Sequence, residues 1–269
     1  MTTLHLAKLH ATGNDFLVHL AVDAAPPKLA PATVAFLCDR HRGIGADGLI
    51  TITPGTNGAD CTMSLLNADG GAAEMSGNGI RCLAYVAAHA GLGTDAQLVV
   101  DTDGGRRPLA LTRGAAGEVV AADVDMGAVT LGESGLRFVI DGVEYVGDAA
   151  DVGNPHVVCF VDDPDAVPVT QHGPSIERDP RFARGANVEF VGVNRADMLI
   201  MRVWERGAGE TLSCGTGACA AAAVAHAHGL VSEEVVVAVR GGELTVALGP
   251  TVRLGGPVAH VFDVDIEIS

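Results

Sequence analysis

The sequence is short of aromatic residues, positive charge and long apolar runs, and each shortage removes a class of function. Phe, Tyr and Trp make up 4% of the 269 residues, with one Trp, so recognition by stacking is not expected to dominate. Lys and Arg number 17 against 33 Asp and Glu, for a formal net charge of −16. That balance argues against nucleic acid or an anionic membrane as partner. No apolar run reaches the ~18 residues of a membrane span, and Met1 to His10 hold no signal-peptide core. The six cysteines, at 38, 61, 82, 159, 214 and 219, lack the C-x-x-C spacing of a metal site. No metal is expected, and a reducing cytosol is the simplest setting for six dispersed thiols.

Glycine is plentiful, at 35 residues, and it is concentrated where the chain is most informative. Glu205-Arg206-Gly207-Ala208-Gly209-Glu210-Thr211-Leu212-Ser213-Cys214-Gly215-Thr216-Gly217 precedes an alanine-rich run, Ala218 to His226, of high helix propensity. Cys214 therefore stands where a glycine-rich loop enters a helix. Unpaired N–H groups and partial positive charge at a helix start favour a thiolate, so a lowered thiol pKa is expected. Gly215 and Gly217 have no Cβ to keep a carboxylate from those N–H groups. Taken alone, Cys-Gly-x-Gly reads as a buried cysteine beside an ordinary turn.

The arrangement occurs twice. Glu74-Met75-Ser76-Gly77-Asn78-Gly79-Ile80-Arg81-Cys82 matches the later motif with Ser76 at the place of Cys214, an offset of 138. The same offset carries Gly91-Leu92 onto Gly229-Leu230, each closing a helical run (Leu83 to Ala90 and Ala220 to His228). Gly13-Asn14 corresponds to Gly153-Asn154 at an offset of 140. Three ordered landmarks at nearly one offset indicate an internal duplication. Two halves are expected, residues 1–118 plus 259–269 and residues 119–258, with their glycine loops facing one cleft.

Alternating apolar residues predict strands over Leu4 to Leu9, Phe16 to Ala21, Cys61 to Asn67, Val119 to Met126, Asn187 to Val193 and Met198 to Trp204. Hairpins are expected over Val99 to Thr112, around Asp103-Gly104-Gly105, and over Phe138 to Val146, around Asp141-Gly142. Val235 to Val239, Leu244 to Leu248 and Val258 to Ile268 close the chain as strands, the last returning to the first half. Ala24 to Pro31 is a proline-bearing loop, and Pro31 opens a helix over Ala32 to Asp39. Gly173-Pro174 opens a second short helix. Gly43-Ile44-Gly45-Ala46-Asp47-Gly48 runs from helix to strand, the wrong order for a dinucleotide fingerprint, and a nucleotide reading is rejected. Asn14 on its own reads as a turn residue. His156 suits either a core or capping role or the orienting of a carboxylate.

Together these motifs resemble the diaminopimelate epimerases over nearly the whole chain. The matching residues are Gly13-Asn14-Asp15-Phe16, Cys38-Asp39-Arg40-His41 with Gly43 to Gly48, and Asn67-Ala68-Asp69-Gly70. Gly77-Asn78-Gly79 with Arg81-Cys82, Gly153-Asn154-Pro155-His156, Glu205-Arg206-Gly207 with Gly209, and Cys214-Gly215-Thr216-Gly217 complete the set. The resemblance implies an α+β fold of two pseudo-symmetric domains, each a curled, mostly antiparallel sheet around a central helix. It also implies a homodimer and a cofactor-independent exchange of LL- and meso-diaminopimelate for lysine and cell-wall synthesis.

The family's two catalytic residues are cysteines. One falls on Cys214 and the other on Ser76, which is serine here; Cys82 matches a structural cysteine. Glu205 and His156 join them as expected catalytic residues. Gly77, Asn78, Gly215 and Thr216 are expected to grip the α-carboxylate, and Asn14, Asn67, Asn154, Asn187, Glu205 and Arg206 to read the two amino-acid ends of the substrate. The family often carries a polar side chain where Gly48 stands. Because serine is a poor base, two other readings stay open: a related racemase or one-base lyase, proline racemase-like, and a non-catalytic amino-acid-binding protein.

Overall fold

The computed structural model describes residues 2–22, 25–73 and 75–268. The expected loop start at Ala24, Glu74 of the first glycine motif, and the two terminal residues lie outside the described residues.

The chain forms two compact units, Met1–Val124 with Gly256–Ser269, and Asp125–Gly255. In the first, β1 (Thr2–Ala11) and β2 (Asn14–Leu20) form a hairpin. Its turn is centred on Thr12 and Gly13, both at positive φ (49° and 81°). Asn14 is therefore the first residue of β2 rather than the turn residue that its neighbours suggest. α1 (Pro31–Cys38) opens on Pro31, whose missing N–H would have no partner at a helix start. β3 (Gly48–Pro54) runs parallel to β2, and β4 (Cys61–Asn67) pairs antiparallel with β3 and with the short β5 (Ala72–Ala73). After α2 (Gly77–His89) come β6 (Gln97–Thr102), parallel to β4, and the antiparallel β7 (Gly105–Arg113) and β8 (Val119–Asp125). The C-terminal strand, Ala259–Ile268, lies antiparallel on β1. Pairing with β7 keeps β8 in this unit, so the boundary falls after Val124 rather than at the expected 118/119.

The second unit repeats the plan. After β9 (Thr130–Leu131) and β10 (Leu136–Ile140) come β11 (Val143–Asp151), β12 (Pro155–Phe160), α3 (Val169–Glu177), β13 (Asn187–Arg195) and β14 (Met198–Glu205). β15 (Gly209–Thr211), α4 (Gly215–Ala227), β16 (Glu234–Val239), β17 (Gly242–Ala247) and β18 (Arg253–Pro257) follow. β12 and β13 are parallel, as are β14 and β16, and the remaining neighbours are antiparallel. β11 to β18 thus reproduce β1 to β8 one for one. The C-terminal strand, β19, flanks β1 as β10 flanks β11.

Both central helices are buried nearly all round, the signature of a helix enclosed by its sheet. α2 buries Ile80, Arg81, Cys82, Leu83, Ala84 and Ala87 and packs on β1, β2, β3 and β4. α4 buries Ala218 to Ala222 without a break, and these short side chains let β11, β12, β13 and β14 come close. Apolar clusters, one around Leu4, Leu17, Leu37 and Leu49 and one around Phe138, Tyr145, Phe190 and Ile176, fill the space beneath α1 and α3.

Two expectations about glycine change. α3 begins at Val169, earlier than Gly173, because Val169, His172 and Ile176 form a buried helical stripe. Gly173 is a packing site: a Cβ there would lie 2.5 Å from Trp204 Cγ. The Arg40–Gly48 loop closes the end of α1. The N–H groups of Ile44 and Gly45 donate to Leu37 O, and that of Ala46 to Cys38 O. These bonds satisfy carbonyls that a helix end leaves open.

Gly43 sits where a Cβ would lie 1.9 Å from Phe36 O and 2.8 Å from Leu37 O. Gly43→Ala is expected to cost roughly 1–3 kcal/mol or more, the usual range for overpacking, because the obstruction is backbone. Thermal unfolding monitored by circular dichroism checks this, and an unchanged midpoint would contradict the packing described.

Candidate active site

Ser76 and Cys214 occupy the same structural position in their units. Each is the N-cap of its central helix with extended backbone (φ −135°, ψ 122° and φ −125°, ψ 114°). Ser76 Oγ accepts from Gly79 N–H at 3.0 Å, and Cys214 Sγ from Gly217 N–H at 3.3 Å. Each cap residue's carbonyl accepts the next bond, from Ile80 and Ala218. Serine is among the best N-caps, so position 76 loses nothing structurally by being serine. Its lone pair holds the helix and its O–H stays available as a donor. In α4 the N–H groups of Gly215 and Thr216 have no acceptor inside the helix, as at any helix start.

The thiol pKa moves opposite to the helix-dipole expectation. Burial pushes Cys214 well above the ordinary thiol range, and the Glu205 and Glu189 carboxylates add to the rise. Hydrogen bonds from Thr216 and Gly217 pull it down and are outweighed. The dipole is worth about 0.3–1 kcal/mol, less than desolvation of a thiolate beside two carboxylates. The other cysteines are buried as well, and none is disulfide-bonded. Burial pushes Cys61, Cys82 and Cys159 up to about 12 and Cys38 up to about 11.

Glu205 ends β14, half-buried, and its carboxylate accepts from Thr211 Oγ1 and hydrogen-bonds the Cys214 thiol. Burial raises its pKa, those two hydrogen bonds lower it, and Glu189 raises it further. A carboxyl with raised pKa against a thiol is a pair that can pass one proton back and forth. His156 is fully buried on β12, with Nδ1 2.7 Å from Glu189 Oε1 and Nε2 2.9 Å from Asn154 Oδ1. Asn154 Nδ2 lies 3.4 Å from Thr216 Oγ1, itself 3.4 Å from Cys214 Sγ. Both roles that residue type left open for His156 meet here: it lies in the core and it holds a carboxylate. Asn187 is tied to backbone, donating to Pro155 O and accepting from Arg206 N–H, so it braces the chain on which Arg206 stands. The Arg206 side chain is exposed, with Nη1 3.2 Å from Arg184 O.

In the first unit, donor and acceptor order is imposed from both ends of a chain of side chains. The Arg81 guanidinium, which can only donate, bonds Asn78 Oδ1 at 2.7 Å. That turns Asn78 Nδ2 to Asn14 Oδ1 (3.2 Å), and Asn14 Nδ2 then meets the acceptor Asp47 Oδ2 at 2.6 Å. Arg40 bridges Asp47 and Asp15, and the buried Lys8 reaches Asp15 and Gly45 O. Burial raises the Asp15 carboxyl, but Arg40 and Lys8 outweigh it and hold it down at about 2. Asn67 is exposed at the end of β4, opposite Gly48 of β3. Gly77 and Asn78 are buried in the first turn of α2. Among the described residues no cluster of three or more His, Cys, Asp or Glu side chains could hold a metal ion, and no helix is long and apolar enough to cross a membrane.

Sequence reasoning brought out Cys214, Ser76, Glu205, His156 and the asparagines. The structure links Asn14 to Asn78 at the start of α2, and Glu205, Asn154 and through it His156 to Cys214 and Thr216 at the start of α4, whereas Asn187 bonds backbone and Asn67 is exposed at the end of β4. Sequence reasoning passed over Glu189, Asp47 as a partner of Asn14, and Arg81 as the group that orients Asn78. Glu189 had one available signal, a charged residue at an inward place in the apolar strand Val188 to Val193.

The model of the family described as diaminopimelate epimerase matches residues 6–132 and 149–253. A protein of Moorella thermoacetica named diaminopimelate epimerase is 38% identical, the match covering 98% of this chain and all of that protein. One of Geobacillus kaustophilus with the same name is 40% identical over 97% of this chain and 96% of its own length. Among solved structures, a hydroxyproline epimerase from Agrobacterium vitis superposes with a TM-score of 0.79 at 16% identity, covering 98% of this chain and 92% of that one. A phenazine biosynthesis protein of the PhzF family from Bacillus anthracis gives 0.78 at 16%, covering both chains in full. The last two show a shared fold.

Two outcomes follow from the electrostatics. Alkylation of Cys214 by iodoacetamide, located by mass spectrometry, is expected to keep accelerating with pH through about 9.5, because only the thiolate reacts; a plateau below about pH 8 would contradict the raised pKa. Asp15 has its folded pKa below its unfolded value, so its contribution is present above about pH 4 and lost as pH falls through about 2. Asp15→Asn should therefore cost about 2 kcal/mol near neutral pH, and the gap from the parent protein should shrink between about pH 4 and pH 2. Urea titrations at several pH values measure it.

Proposed function

Since the chain belongs to the diaminopimelate epimerase family, we propose that it is an isomerase inverting Cα of diaminopimelate between the LL and meso forms, with Cys214 and Ser76 as its proton-handling groups. The observation that carries this reading is the pair of equivalent helix caps: a thiol hydrogen-bonded to a carboxyl in one unit and a hydroxyl in the other.

Inversion takes a proton from one face of Cα and returns one to the other. On one face, Glu205 takes the Cys214 thiol proton; the thiolate then takes the Cα proton, and its bonding pair stays on the substrate as a carbanion. On the other face, the Ser76 O–H gives its proton to Cα, solvent reprotonates the alkoxide left behind, and Glu205 returns its proton to solvent. The reverse sequence is harder, since a hydroxyl is a weaker acid than a thiol and its neutral form a poor base. The carbanion is stabilised through its α-carboxylate by N–H groups of Gly215 and Thr216 at the positive end of α4, and by Gly77 and Asn78 at that of α2. Asn14, Asn67, Asn154 and Arg206 read the remaining polar ends, the Arg206 guanidinium suiting a carboxylate. Asn187 contributes by bracing Arg206. A homodimer and a cytosolic location belong to the same reading.

Incubation with LL-diaminopimelate in deuterated water, following α-deuterium and stereochemistry, tests it. Uptake with inversion is expected, and Cys214→Ala should remove both. Ser76→Cys should speed inversion by roughly 10²-fold, within the usual contribution of a matched acid–base group. Uptake without inversion would overturn the role of Ser76, and binding without uptake from either isomer would overturn the catalytic reading.

A further inference from the structure

Glu189 is a carboxylate in a place the fold fills elsewhere with hydrocarbon. Phe16 pairs with Gly48 across β2 and β3, and His156 pairs with Asn187 across β12 and β13. By that register the first unit's equivalents of His156 and Glu189 are Phe16 and Ile50, both buried. The architecture is thus satisfied by an apolar pair, and the second unit replaces it with two titratable groups. Glu189 is fully buried between Val188 and Phe190, which are core residues. Oε1 meets His156, whereas Oε2 has no hydrogen-bond partner among the described residues. Gly217 leaves room for it: a Cβ at that position would lie 2.6 Å from Oε1. A buried carboxyl with half its acceptor capacity unused is costly, and a shared proton reduces that cost.

The hydrogen-bond chain specifies where that proton is. Asn154 turns its nitrogen to Thr216 and its oxygen to His156 Nε2. An amide oxygen only accepts, so Nε2 carries a hydrogen. The 2.7 Å contact between Nδ1 and Oε1 then needs one more proton between them. With Asn154 donating to Thr216 Oγ1, the Thr216 hydroxyl hydrogen is free to point at Cys214 Sγ.

We infer that Glu189 is a positioning residue: with His156 it holds one shared proton, which sets the direction of the Asn154 amide and so aims the Thr216 hydroxyl at Cys214. When that proton leaves to solvent, Nε2 becomes an acceptor and the Asn154 amide turns over. Thr216 then donates to Asn154 instead of to the sulfur, and the thiolate loses a donor. The inference rests on Cys214 being the reacting thiol. The titratable groups that face Glu189 are His156 and Cys159 on β12, Glu205 on β14 and Cys214 at the start of α4.

The test uses the whole chain and diaminopimelate, with α-deuterium exchange measured as a function of pH. Glu189→Gln keeps a donor on His156 Nδ1 that cannot be lost to base. It is expected to retain exchange within about threefold of the parent while its alkaline decline disappears or moves up by at least about one pH unit. Glu189→Leu copies the hydrocarbon of the other unit and is expected to fold but lose roughly 10²-fold in kcat, the scale of a misplaced catalytic group. A parent-like alkaline decline in Glu189→Gln, or parent-like kcat in Glu189→Leu, overturns the inference. If Glu189→Leu does not fold, the Glu189→Gln profile decides alone. Cys214→Ala separates the two levels: full exchange in that variant sinks the catalytic reading itself, whereas no exchange there with parent-like Glu189 variants sinks only the role given to Glu189.

Discussion

One backbone hydrogen bond organises each half of this protein: the third N–H of the central helix donates to the side chain of the cap residue. That bond can be accepted by oxygen or by sulfur, and the two halves use one of each. It fixes the side chain at the mouth of the helix, where partial positive charge and unshared N–H groups collect. Everything enclosing the helix holds that position. The alanine run of α4 admits the strands closely, and α2 does the same with a mixture of aliphatic residues and the buried Arg81.

The electrostatic character of the two cap sites differs more than their backbone does. In the first unit a donor-only cation and an acceptor-only carboxylate impose one direction on two asparagines. In the second, a thiol lies among Glu205, Glu189 and His156, and burial of that acidic group outweighs the helix end. Desolvation acts on the whole charge of a thiolate, and the helix end offers only a fraction of a charge at a distance. In the reaction proposed above, the chemistry of Cys214 is set by where its proton can go, to the carboxyl of Glu205, more than by the acidity of an isolated thiol.

Much of this was legible in the chain. The repeat of Gly-Asn, of the glycine loop and of the helix stop at nearly one spacing points to two like halves, and β1 to β8 and β11 to β18 are those halves. The Asp141-Gly142 turn has both residues at positive φ, as that dipeptide demands. Short strands such as β5 and β9, two residues each, left no periodic trace. Gly173 and Gly43 look like local punctuation, yet each is set by an atom distant in sequence or around a loop, Trp204 for one and the carbonyls of α1 for the other. Partnerships escaped for the same reason. Cys214 announces itself by its neighbours in the chain, but its pKa is raised first by burial and then by Glu205 and Glu189, which arrive on β14 and β13.

The β1–β19 pairing joins Thr2 to Ile268 and His10 to Ala259, and it has a consequence for synthesis. On the ribosome, the first unit stays without that edge strand until Ala259–Ile268 has been made. The second unit has its own flanking strand, β10, at its leading end and is continuous in sequence. The half made later is thus the half that can finish folding first. The half made earlier must keep β1 unpaired along one side while more than two hundred residues are added, and closing so long a loop is slow. For that interval β1 presents an open sheet edge, the part of a nascent chain most exposed to pairing with a neighbour.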